Sequence, residues 1–242
     1  MIVKACEYLN KATYTVFRRI NLQPVKVNLV PAHKIPKDAI GTWRGCFEVE
    51  LLQKVILEYL EQKNAYAVIT RPFSSNLISA AETRQLIFCF GLMEGKTLHG
   101  YIKARFKMSD ETAILNRLFV APWNLSARFH NISPDELPKG ISSDLKSLEW
   151  SQTDNYFAMA VKGTGWTLMS VLCSYMYCLK KTMSLSMNVP GNDAVPFYKD
   201  IIGAKDGKER TKILSGVNLA SFLNRAWEGE KRGIQGWKIP PY

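Results

Sequence analysis

The sequence contains no Cys-x-x-Cys and no His-x-x-x-His pair, and its three histidines, His33, His99 and His130, are scattered, so no metal-ligand set is expected. Cysteine is sparse and odd in number, five in all. The two closest, Cys173 and Cys178, share an apolar run, which excludes a disulfide framework and leaves buried free thiols as the expectation. No Gly-x-Ser-x-Gly elbow occurs. "GLMEGKT" at 91–97 falls one residue short of the P-loop glycine spacing and lies between apparent strands, so it reads as a β-turn. "SDLK" at 143–146 lacks the partner motifs of a Ser-Lys hydrolase.

Long hydrophobic runs are missing too. The longest uncharged stretch, Gly163 to Leu179, opens on glycine and is shorter than a bilayer span. Glu7 and Lys11 interrupt what a secretory signal would need as its apolar centre, so the expectation is a cytoplasmic protein with no membrane partner, in which the Asn-x-Ser sequons at Asn124 and Asn131 carry no glycan.

Acidic residues are in short supply: 21 against 32 basic, for a net charge of +11. The excess is spread over both halves of the chain. Such a field attracts polyanions, whether nucleic acid, acidic protein or a phosphorylated cofactor. What is present in quantity is apolar surface, 47% of residues, with 11% aromatic, enough for a full globular core.

Periodicity supplies the elements. Leu9, Thr13, Val16 and Ile20 predict a helix over 6–20, "VKVNLV" at 25–30 a strand, and "FEVELLQKVILEYLE" at 47–61 an amphipathic helix. "AYAVIT" reads as a strand. "QLIFCFGLMEGKTLHGYIKARF" reads as two strands joined around Glu94-Gly95, and "TAILNRLFVAP" as a third closed by Pro122. From 122 to about 157 the chain is polar and rich in proline and serine pairs, an insertion or lid. Beyond it lie an apolar helix from about Trp166 to Leu179 and a strictly alternating strand, "TMSLSMNV" at 182–189. A short helix capped by Asn192 or Asp193 and closed by Gly203, a strand around 208–214 and an amphipathic helix at 216–230 complete the chain.

The one stretch that points to chemistry is Lys162-Gly163-Thr164-Gly165, directly ahead of the apolar helix. A helix N-terminus offers unpaired N–H groups and partial positive charge, and glycine lets a ligand approach the backbone. Two readings stand: a phosphate cradle, or a tight turn before a core helix.

Taken in order, the strand ending at Val120-Ala121-Pro122, Gly-x-Gly heading an apolar helix, an alternating strand and "GNDAVPFYKDIIGAK" resemble the GNAT superfamily of N-acetyltransferases over about 113–205. The family pattern Asn-x-x-Ala-x-x-x-Tyr-x-x-x-Gly is approached by Asn192, Ala194, Phe197, Tyr198, Gly203 and Ala204. The resemblance implies an α/β (α+β) fold: a mixed, mostly antiparallel sheet flanked by helices and splayed between the family's fourth and fifth strands. It implies a single domain over 1–242, with an N-terminal helical elaboration at about 1–46, the insertion at 122–157 and the C-terminal helix at 216–230. It also implies acyl-CoA, most simply acetyl-CoA, held by amides of Val161, Lys162, Gly163, Thr164 and Gly165, by the strand edge Leu118, Phe119 and Val120, and by Asn192, with Tyr198 protonating the departing thiolate. Three departures accompany it: Ala160 stands where the family has Arg or Gln, the segment between Val120 and the glycines is far longer than the family's, and a helix takes the place of the family's seventh strand.

The implied reaction is acyl transfer to a primary amine by direct attack in a ternary complex. Its general base is left open among Glu111, Glu149, Asp154 and a held water. The alternatives are a relative that modifies nucleic acid, a DNA base or tRNA, for which +11 charge and Trp123, Trp150 and Tyr156 argue, and a non-catalytic binding module on the same scaffold.

Overall fold

Every inner residue of Gln85–Glu94 is buried, which only a strand covered on both faces allows. A computed structural model describes residues 1–18, 21–41, 66–68, 85–106, 109–121, 124, 159–188, 194–208 and 210–232. The helix expected at 47–61, the insertion at 122–157 apart from Asn124, and Asn192 with its capping role lie outside the described residues.

In chain order the elements are α1 (Ile2–Leu9), β1 (Tyr14–Arg18), β2 (Pro24–Pro31), a 3-10 turn (Ala32–Lys34), α2 (Lys37–Gly41), β3 (Tyr66–Val68), β4 (Gln85–Glu94), β5 (Thr97–Phe106) and β6 (Thr112–Val120). Then follow β7 (Val161–Lys162), α3 (Thr164–Leu179), β8 (Ser184–Asn188), a π-helical α4 (Phe197–Ile202), β9 (Lys205–Asp206), β10 (Thr211–Leu214) and α5 (Gly216–Arg232). The strands form one sheet in the order β7-β1-β2-β4-β5-β6-β8-β10-β9, and β3 shares the β2 edge of β4. The β3–β4 and β6–β8 pairs are parallel and the other pairs antiparallel. This mixed, mostly antiparallel sheet flanked by helices is the architecture implied by the acetyltransferase resemblance.

Alternation along β4 sends Phe88, Phe90 and Leu92 to a core shared with α1, α3 and α5, and Ile87, Cys89 and Met93 to a smaller one with Ala32, Ile35 and Ala39. The apolar run that follows the glycines is buried from Thr164 to Met176 except at Trp166. A helix apolar on all sides must be covered on all sides. Here Tyr175 packs against Phe88 and Phe106 at 5.6 and 5.9 Å between ring centroids, while α5 contributes Phe222, edge-on to Trp166 at 4.9 Å, and Trp227, whose Nε1–H donates to Ser174 Oγ at 3.1 Å.

The N-terminal expectation is corrected. The helix ends at Leu9, with the Asn10 N–H closing on the Cys6 carbonyl at 3.0 Å, and Tyr14–Arg18 is a strand paired with β2 and β7. Leu9, Thr13, Val16 and Ile20 satisfy a helical period, but Tyr14 and Val16 are buried and Thr15 lies between them less covered, the period-two pattern of a strand. Within the described part of the expected helical elaboration at 1–46, β1 and β2 extend the sheet.

Candidate functional site

The parallel pairing of β6 with β8 runs only from Thr112 opposite Ser184 to Leu115 opposite Met187. At the next residue β6 carries a bulge: on β5, Lys103 faces Arg117 and Ala104 faces Leu115, so Asn116 is the extra residue. A bulge bends and twists its strand, and past it β6 follows β5, with Leu118 opposite Ile102, Phe119 opposite Tyr101 and Val120 opposite Gly100. Among the described residues no strand pairs with the other edge of Leu118–Val120. The sheet thus opens between the two strands that the resemblance names as splayed. Asn116 Oδ1, at the fork, is buried and lacks a hydrogen-bond partner.

The N-terminus of α3 stands at the open end of this edge. A β-carbon on Gly165 would lie 3.7 Å from Val120 Cγ2 and 3.3 Å from Phe197 Cζ, and one on Gly100 would lie 2.6 Å from the Phe119 carbonyl oxygen and 2.7 Å from Thr164 Cγ2. Glycine at both positions lets helix, strand edge and α4 converge. Gly163 caps the helix at φ 102°, a left-handed conformation that side chains resist. No side chain caps this end, and the first bond closed is Thr167 N–H to the Gly163 carbonyl at 2.9 Å. The amides of Gly163, Thr164 and Gly165 precede that ladder and donate to no acceptor among the described residues. Thr164 Oγ1 beside them is buried and without a partner. Thr164 and Gly165 are buried, and Gly163 is half-buried.

Val161 departs from the expected set. It pairs with Arg18 across β7 and β1, and its N–H donates to Asn124 Oδ1 at 2.8 Å, so that amide is committed internally and leaves the group available to an anion. Asn124 Nδ2 donates to the His99 carbonyl at 3.3 Å, and that carbonyl also accepts the Ala121 N–H at 2.8 Å. His99 occupies a second bulge: Gly100 faces Leu92 and Leu98 faces Met93. Its imidazole is fully buried, with Nε2 2.9 Å from Glu94 Oε2, and the other oxygen of Glu94 pairs with the Arg18 guanidinium, whose Nη1 donates to the Met159 carbonyl at 2.9 Å. Burial holds His99 below its ordinary pKa, outweighing the hydrogen bond and charge of Glu94 that pull it upward. The neutral ring then donates its Nε2 proton to Glu94. Arg18, Glu94, His99 and Asn124 together grip the run Met159–Val161 that delivers the chain to the uncapped helix.

Tyr198 lies in the larger core, and burial pushes its hydroxyl up to about 12, which keeps it protonated at neutral pH. Its neighbour Phe197, edge-to-face with it at 5.2 Å, is the residue that touches the helix terminus. Glu111 precedes β6, with its carbonyl accepting the Ser184 N–H at 2.8 Å. The paired stretch Thr112–Leu115, roughly 13 Å of strand, separates it from the open edge, which removes it from the candidate bases. Glu149, Asp154, Trp123, Trp150 and Tyr156 lie outside the described residues.

Sequence reasoning missed Asn124, His99, Glu94, Arg18 and Gly100. Only Asn124 carried any signal, and as a sequon it pointed elsewhere.

No protein-family model matches the chain, and no curated protein matches it. Among solved structures, the chain is similar to the PaiA N-acetyltransferase from Thermoplasma acidophilum in complex with coenzyme A, at 14% identity over 77% of this chain and 96% of that one, with a TM-score of 0.35. It is also similar to a tandem GNAT protein from the clavulanic acid biosynthesis pathway, at 12% identity over 75% of this chain and 45% of that one, with a TM-score of 0.33. Likeness at this level transfers neither residues nor ligands.

Proposed function

We propose that the chain is an acyl-CoA-dependent N-acyltransferase, most simply one that moves acetyl from acetyl-CoA to a primary amine by direct attack in a ternary complex. The observation that carries this reading is the meeting of the β6 segment beyond Asn116, which β8 no longer accompanies, with the uncapped N-terminus of α3. Acyl-CoA fits both parts. The amides of Gly163, Thr164 and Gly165, with Thr164 Oγ1, match a diphosphate, and the backbone of Leu118, Phe119 and Val120 follows the course proposed for a pantetheine arm, with Lys162 in the set through the resemblance. Asn192 belongs to the same proposed set through the resemblance. Bound acyl-CoA supplies an activated thioester carbonyl.

Tyr198, kept protonated by burial, is the proposed donor to the departing thiolate. The described open edge carries no carboxylate, so the proton of the incoming ammonium leaves through Glu149, Asp154 or a held water.

The test is thermal and mass-spectrometric. At roughly 100 times its dissociation constant, acetyl-CoA should stabilise the folded chain by about 2.7 kcal/mol, and a thioester should co-purify. Absence of any shift at millimolar acetyl-CoA overturns the proposal. The charge of +11 favours an acceptor amine borne on a polyanion, and titration of tRNA or DNA binding against salt distinguishes that acceptor from a free amine.

A further inference from the structure

Five cysteines that the sequence presents as isolated thiols include one pair that the fold brings together. Cys6 Sγ lies 3.5 Å from Cys178 Sγ, across 172 residues of chain, with both side chains half-buried. The contact joins α1 to the C-terminal end of α3. These helices form an extended interface: Ala5, Tyr8 and Leu9 are buried against the core, and the Tyr177 hydroxyl donates to Met1 Sδ at 3.6 Å one step from the cysteine pair. By contrast, Cys89 and Cys173 are fully enclosed.

We propose that Cys6 and Cys178 form a site of reversible oxidation, closing a disulfide that fastens α1 to α3. Their sulfurs are already in contact on two separate elements, so a small rotation of each side chain, without rearrangement of the sheet, brings them to bonding distance. The oxidant is a peroxide. The sulfur of Cys6 attacks one peroxide oxygen, the O–O bond breaks, and the leaving hydroxide takes the thiol proton as water, so that the sulfur becomes a sulfenic acid, oxidised by two electrons. Cys178 Sγ then attacks that sulfur; the S–S bond forms, the S–O bond breaks, and the departing hydroxide takes the Cys178 proton as a second water. Both thiols have then lost their hydrogens and one peroxide has been reduced to two waters. Burial, then its hydrogen bond with Cys6, raise the Cys178 thiol, and the two steps balance equally with the sulfurs exchanged. The second step is intramolecular, and adjacency compensates for a poor nucleophile. The site stands apart from the proposed acyl-CoA site and does not depend on it.

The experiment treats the purified full chain with hydrogen peroxide, then compares intact mass and a non-reducing digest with the same sample after dithiothreitol. The expected result is loss of two hydrogens, one linked pair of peptides carrying Cys6 and Cys178, reversal by dithiothreitol, and a higher melting temperature for the oxidised chain. Cys6→Ser and Cys178→Ser each abolish the link and the shift, while Cys89→Ser retains both. Should a serine variant fail to fold, protection of both cysteines from iodoacetamide in oxidised wild type supplies the same answer. A link to Cys46 or Cys173, stable sulfinic acid without a link, or no change of mass overturns the proposal.

Discussion

Asn124 holds the backbone of Val161 with its side-chain oxygen, 2.8 Å from the Val161 nitrogen, and holds the His99 carbonyl with its side-chain nitrogen, 3.3 Å away. One buried side chain thereby joins β5 to the two-residue strand that leads into α3. Any ligand gripped by the amides after Val161 relies on that join.

Replacing Asn124 with Ala leaves the Val161 N–H buried and unpaired, which costs about 1–3 kcal/mol. Denaturant unfolding should show this as a lower midpoint with an unchanged slope. The same variant should bind acetyl-CoA more weakly, because Gly163 to Gly165 lose their anchor. Unaltered stability would remove Asn124 from that role.

Gly100→Ala tests the close approach of strand and helix. The new methyl meets a backbone oxygen of Phe119 and the methyl of Thr164, and overpacking of this kind costs about 1–3 kcal/mol. Adding Thr164→Ser removes one of the two clashes, so the double variant should recover part of the loss and not all of it, as read by thermal melting.

The His99 pKa lies below its ordinary value of 6.5 in the folded chain. As pH falls through 6.5 the unfolded chain takes up a proton that the folded chain resists, so stability is full above that point and declines below it. His33, lowered by its own burial and by Lys34, adds a slope of the same sign. His99→Gln should therefore flatten the acid limb by up to about 1.4 kcal/mol per pH unit, leaving the share due to His33. Chemical unfolding between neutral and mildly acid pH measures it.

Tyr198→Phe should slow acyl transfer while leaving acetyl-CoA affinity near that of the parent, since the hydroxyl is proposed to act on the leaving thiolate and not on the phosphates. Single-turnover kinetics alongside calorimetry separate the two. An equally fast variant would take Tyr198 out of the chemistry.

Elements whose side chains repeat a clear period were legible before any coordinates: β4 and β5 around the Glu94-Gly95 turn, β6, the apolar α3 and the alternating β8. The exception is β1, where Leu9, Thr13, Val16 and Ile20 imitate a helix, and pairing with both β2 and β7 outweighs that local preference. At the candidate site, the glycines announced themselves because the chain needs them at Gly163 and Gly165. Asn124 and Arg18 did not, because they hold main-chain atoms of distant residues, and Glu94 and His99 did not, because they pair with each other and with Arg18, contacts that leave no mark on composition or spacing.

The sequence by itself determined the type and order of β4, β5, β6, α3 and β8, since the period at which side chains are buried is written into the order of apolar and polar residues. Only the tertiary structure decided where β6 parts from β8, that the Val161 amide is already taken, and that Cys6 meets Cys178. The reason is physical. A backbone hydrogen bond or a contact between residues far apart in the chain depends on where whole elements come to rest, and no single stretch of residues carries that information.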